Sequence, residues 1–192
     1  MKSRGARKRA QQHDDRQGTD SSHEDTGEPH PGGLNSNRVQ QSALKILATR
    51  PRSESELKDR LLEKYSDRLA EVENCIVRLK EMNLIDDARL AENYAAYRTS
   101  TKPIGPSRLA RELASRKVSA KIIEDTLGAL YDRDLQEELI DKAIEKRLRT
   151  RGHEEGPAAD RRMAQHLARL GFDLDLIFRK IRRLSKPLPA EE

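Results

Sequence analysis

Two neighbouring carboxylates, Asp86 and Asp87, are the first residues whose types suggest chemistry, since paired acids can hold a metal ion or divide general acid and base roles. Their spacing argues for something plainer. Adjacent residues at a helix start point in different directions, and Asp at that place caps the helix and meets the positive end of its dipole. Histidine offers no more. His166 precedes Leu167 with no second His or Cys three or four residues away, His13, His23 and His30 lie in a polar N-terminal stretch, and His153 lies in a loop, so no metal-ligand set assembles. Cys75, the single cysteine, stands beside Ile76 on an apolar stripe without a nearby base, which reads as a core thiol and rules out an internal disulfide. Neither G-x-x-x-x-G-K nor G-x-S-x-G occurs. The expectation is a protein that is not an enzyme and needs no cofactor.

What remains is cationic. Net charge is +5 with a pI near 9.4, but the distribution is uneven. From Arg52 to Glu92 there are 8 Lys/Arg against 11 Asp/Glu, net −3; from Arg98 to Lys121 there are 7 against 1, net +6; from Asp160 to Lys186 there are 8 against 3, net +5. Two clusters carry the positive field: Arg108, Arg111, Arg116, Lys117 and Lys121, then Arg161, Arg162, Arg169, Arg179, Lys180, Arg182 and Arg183. Such groups attract phosphates or acidic protein surfaces, and these twelve are the candidate partner- or DNA-binding residues.

The elements that must position them repeat. Leu57 and Leu61 are followed by Val72, Ile76 and Leu79; Leu109 and Leu113 by Ile123, Leu127 and Leu130; Met163 and Leu167 by Ile177, Ile181 and Leu184. Copies lie 51 to 54 residues apart, and within each the apolar residues recur at helical spacing. This predicts an all-α chain of three tandem three-helix repeats, over 39–85, 86–131 and 132–185, in an elongated array able to bend at Pro103–Pro106 and Gly152–Pro157. Each unit is expected to bury its own apolar seam. With 34% hydrophobic and only 3% aromatic residues, the chain suits small helical cores better than a sheet sandwich.

Residues 1–38 hold only Met1, Ala6, Ala10 and Leu34 as apolar side chains, too few to offset the entropy of ordering, so a disordered arm with a basic tip is expected, and 186–192 as a tail. No signal-peptide core or membrane-length apolar run follows, which points to the cytoplasm. Ser53 and Glu56 have capping-box spacing, Asp86 and Asp87 open the second unit, Asp132 precedes the third, and Ser107 is placed to cap the helix after Pro106. Tyr94, Tyr97 and Tyr131 read as core or half-buried.

Read together, Ala43-Leu44 with Leu47-Ala-Thr-Arg50, Ser53-Glu54-x-Glu56-Leu57, Leu84-Ile85-Asp86-Asp87-x-Arg89-x-Ala91, Gly105-x-x-Arg108-Leu109-x-x-Glu112-Leu113 and Leu170-Gly171-Phe172 resemble the RecX regulators of bacterial recombination. Each motif is short, but five in order cover residues 39–185. The resemblance implies three tandem three-helix units in a monomer that binds the RecA recombinase filament and its single-stranded DNA along the groove, limiting filament assembly, ATP hydrolysis or strand exchange, with effects on DNA repair and the SOS response. Where the family pattern has glycine turns, this chain carries Glu63-Lys-Tyr-Ser66 and Lys117-Val118, so those turns are expected to be looser or longer.

Two other readings compete. Three short helices can form a helix-turn-helix that binds duplex DNA independently, although Glu73, Glu81, Glu124 and Asp125 fall in the helices that would have to read bases. A general helical scaffold for protein partners would bind with little sensitivity to salt.

Overall fold

The computed structural model describes residues 31–152 and 156–184, which form nine α-helices with no strand among them. Of the arm expected over 1–38, residues 1–30 lie outside the described residues, as does the tail over 186–192, while 31–38 belong to a helix. In the first repeat, α1 (Pro31–Thr49), α2 (Glu54–Lys64) and α3 (Leu69–Glu81) pack together; α4 (Asp87–Thr101), α5 (Pro106–Ser115) and α6 (Ala120–Leu130) form the second; α7 (Arg133–Arg151), α8 (Pro157–Leu170) and α9 (Leu174–Leu184) form the third. The first helix begins at Pro31, ahead of the expected start near Val39. Val39 is fully buried, so the apolar pattern marked a packed part of the helix and not its start.

Local chemistry sets the boundaries. Ser53 caps α2 with a complete capping box to Glu56, and Asp86, Ser119 and Asp132 cap α4, α6 and α7 through their side chains. Ser107 does not cap α5. Gly105 holds the N-cap position, Pro106 fills the first helical position, and the Ser107 amide points to the third repeat. The turn after α5 is no looser than its counterpart in the third repeat. Lys117 donates to Ala114 O at 2.8 Å and Val118 to Leu113 O at 3.3 Å; Gly171 donates to Ala168 O at 2.9 Å and Phe172 to Leu167 O at 3.3 Å. Both are Schellman closures, with Lys117 at φ 58° and Gly171 at φ 89°.

Neighbouring repeats join by one scheme used twice. The cap before the middle helix of one repeat donates to the turn after the middle helix of the next. Ser53 Oγ, fully buried, donates to Arg116 O at 2.6 Å, and Gly105 N–H donates to Leu170 O at 2.8 Å while Ser107 N–H donates to Gly171 O at 3.2 Å. At the second junction the backbones touch: a Cβ on Gly105 would lie 2.3 Å from the Gly171 carbonyl carbon, and one on Gly171 2.3 Å from the Arg108 nitrogen. Pro103–Pro106 is therefore clamped against the third repeat.

The core follows the same division. Leu57, Leu61, Val72, Ile76 and Leu79 form a separate seam in the first repeat, whereas the second and third share one continuous core running from Leu90 to Ile181. This departs from the expectation of one seam per unit. Ile104 and Phe172, beside the two touching glycines, are both buried and carry the seams into each other.

Candidate functional site

Five of the twelve candidate cations hold the fold or pair within their own helix. Arg108 Nε reaches Glu112 Oε1 at 3.2 Å one helical turn on. Glu112 also takes two bonds from the Arg98 guanidinium, at 2.7 and 2.8 Å, and one from Tyr94 Oη at 3.0 Å, which hold its carboxyl well below its ordinary value, at about 2. The Gly-x-x-Arg-Leu-x-x-Glu-Leu motif is thus structural. Gly105 permits close approach, Leu109 and Leu113 are fully buried, and Glu112 ties α5 to α4.

Arg116 and Lys117 face the first repeat. The Arg116 guanidinium lies 4.8 Å from the centre of the Tyr94 ring, its carbonyl accepts the Ser53 hydroxyl, and Lys117 pairs with Asp59. Asp87, considered above for chemistry, accepts the Glu54 N–H at 2.8 Å and so caps α2 across the junction; burial pushes its carboxyl up. Lys121 pairs with Asp125 on the surface at 3.2 Å.

Lys180 is not a surface cation. It is 8% exposed, lies 2.7 Å from Asp141 and 3.5 Å from Glu137 on α7, and fastens α9 to that helix. Its place in the binding cluster is corrected accordingly. Ile177 and Ile181 on the buried stripe bracket position 180, which lies one turn from Ile177, and that spacing was the signal for burial.

The remaining candidates are exposed: Arg111 on α5, Arg161, Arg162 and Arg169 on α8, and Arg179, Arg182 and Arg183 on α9. The last three surround Phe178, itself 51% exposed. Phe178 and Arg182 line two adjoining hollows of about 420 and 470 Å³, the first with Arg161, Ala164 and Ile181, the second with Asp175, Arg179 and Arg183. An exposed ring among guanidinium groups can stack on a base or pack on an apolar side chain while its neighbours neutralise phosphates or carboxylates.

Spacing alone missed a second group of cations in the third repeat, on another side of α8. His166 has its proton affinity lowered by burial and then by Arg147, Arg169 and Arg151, which places three positive charges around one imidazole. Arg147 and Arg151 stand four apart on α7, which puts them on one side of that helix. Among the described residues no group of three or more His, Cys, Asp or Glu is placed to hold a metal ion. Cys75 is buried, and burial pushes its thiol up, away from reactivity. No helix among the described residues is long and apolar enough to cross a membrane.

Known proteins share this arrangement. Family models for the first, second and third three-helix domains of RecX match residues 41–79, 86–127 and 134–181. The chain is 26% identical over 147 residues to a protein named regulatory protein RecX from Clostridioides difficile, covering 77% of this chain and 68% of that one. It is 30% identical over 166 residues to regulatory protein RecX from Streptomyces lividans, covering 86% of each. The crystal structure of RecX from Lactobacillus salivarius superposes with a TM-score of 0.71 at 26% identity, covering 79% of this chain and 97% of that one.

Proposed function

The chain belongs to the RecX family, and from that premise we propose that it is a non-catalytic regulator that binds the RecA filament on single-stranded DNA and inhibits its assembly, ATP hydrolysis and strand exchange. The observation that carries this reading is the way the repeats are joined. Three similar units are docked in one direction by the same cap-to-turn contact. Such an array suits a partner that itself repeats, because several weak contacts sum through effective concentration.

The third helices of the units differ in the charges they expose. In the first repeat α3 exposes Glu73, and in the second α6 exposes Glu124 and Asp125. Those helices are poor readers of duplex DNA, since the acids would meet phosphates. The third repeat instead exposes Phe178 with Arg179, Arg182 and Arg183, and gathers Arg147, Arg151 and Arg169 around His166. It is the unit for the phosphate-bearing part of the filament groove, with direct DNA binding weak and salt-dependent.

The test is RecA ATP hydrolysis on single-stranded DNA with full-length protein added in rising substoichiometric amounts, beside a control that measures binding to DNA alone. Loss of hydrolysis well below one molecule per RecA subunit, at concentrations that leave bare DNA unoccupied, is the expected result. Unchanged hydrolysis, or loss only when the protein coats the DNA, would overturn it.

A further inference from the structure

One apolar concavity stands apart from the basic face of the third repeat. It lies at the junction of the first and second repeats, has a volume of about 710 Å³, and is lined by Leu44 and Leu47 of α1, by Leu84, and by Leu90 and Tyr97 of α4. Leu44, Leu84 and Tyr97 are 41%, 44% and 63% exposed, yet all three converge here. Single exposed apolar residues are ordinary on a protein surface; several gathered in one concavity mark a place where something binds.

The rim is cationic. Arg52, Arg89 and Arg116 line the groove with Asp86 as the only acid beside them, and Asp86 already accepts the Arg89 backbone N–H at 2.9 Å. Arg52 also lies in the field of Arg50, Arg60 and Arg116, opposed by Glu56, and its buried Nε has no hydrogen-bond partner among the described residues. The guanidinium thus sits among like charges at the rim, where an incoming carboxylate would be complementary.

We propose that this groove is the docking site for a protein segment carrying apolar side chains and a carboxylate, supplied by the protein subunits of the filament and not by its DNA. The apolar side chains cover Leu44, Leu84 and Tyr97, and the carboxylate reaches Arg52 at the rim. This inference rests on the filament reading above. Nucleic acid fits the groove less well, because Tyr97 is the only ring open to a base. The Tyr94 ring is covered by the Arg116 guanidinium and its hydroxyl is bound to Glu112.

The experiment compares full-length variants of two exposed residues on different helices, Leu44→Asp and Leu44→Lys, Tyr97→Asp and Tyr97→Lys, at one fixed salt concentration. Each is assayed for equilibrium binding to RecA filaments on single-stranded DNA and to a labelled single-stranded oligonucleotide alone, with a thermal melt to check the fold. The expected result is that all four variants bind filaments more weakly, the Asp variants by about tenfold or more and at least about threefold more weakly than their Lys counterparts, and that no variant changes oligonucleotide binding by more than about threefold. Filament binding indifferent to the sign of the new charge would remove the proposal. So would parallel loss of oligonucleotide binding in the Asp variants, which would make the groove a nucleic-acid site. Failure of the wild-type protein itself to bind filaments would instead overturn the filament reading, and the assigned occupant with it.

Discussion

Lys117 stands in the second repeat where Gly171 stands in the third, both at positive φ and both closing the same pair of backbone hydrogen bonds after the middle helix. A lysine held in the left-handed region is strained where glycine is not. Lys117→Gly is therefore expected to raise stability by up to about 1 kcal/mol, less the small worth of its exposed pair with Asp59. Gly171→Ala should do the reverse and lower stability by at least about 2 kcal/mol, since its Cβ would meet the Arg108 backbone. Urea denaturation midpoints of the two variants check both signs, and a stabilised Gly171→Ala protein would refute the close approach.

Ser53→Ala removes two bonds at once, the acceptor for the Glu56 N–H and the donor to Arg116 O. The loss should be about 2 kcal/mol, more than a solvent-facing cap loses, because Arg116 O is left without its buried partner. Hydrogen exchange locates the damage. Amides of α2 and of the turn at 116–118 should exchange faster while those of α8 and α9 do not change.

Glu112 supplies a pH dependence whose sign follows from its surroundings. Its folded value of about 2 lies below its ordinary 4.5, so the bonds from Arg98, Arg108 and Tyr94 stabilise the fold fully above pH 4.5 and are lost as the pH falls from there toward 2. The contribution is up to about 3 kcal/mol. Thermal melts of wild type and Glu112→Gln at several pH values should show a gap that is widest above pH 4.5 and closes on acidification; a gap independent of pH would reject the assignment.

The four cations near the end of α9 separate into two kinds. Arg179, Arg182 and Arg183 are exposed, so reversing all three to Glu should leave the melting temperature nearly unchanged while weakening filament binding and flattening its salt dependence. Lys180→Glu should cost about 3 kcal/mol or more by setting a third acid against Asp141 and Glu137. Melting curves together with filament binding at two salt concentrations distinguish the kinds, and a stable, fully folded Lys180→Glu protein would sink the buried-pair reading.

The parts of this fold that could be read from the chain are those governed by neighbours in sequence. Leu57, Leu109 and Met163 recur because each helix must turn the same face inward, and Ser53 with Glu56 declares a cap within four residues. The parts that could not be read depend on partners far along the chain. Lys180 resembles the arginines around it until Asp141, 39 residues earlier, is brought to 2.7 Å. Arg116 and Lys117 read as a basic turn, yet Ser53 and Asp59 claim them across a junction. The groove at Leu44 and Tyr97 was hidden for the same reason, since each looked like one more member of its own helical stripe.

The cap-to-turn joint has a front and a back. Ser53 and Gly105 reach forward and the turns at Arg116 and Leu170 receive, so the array has a sense of direction along its length, as an arrow has. Laid on any polymer that is itself polar, such a molecule has two orientations that are not equivalent, and in only one of them do its successive units fall into step with those of the track.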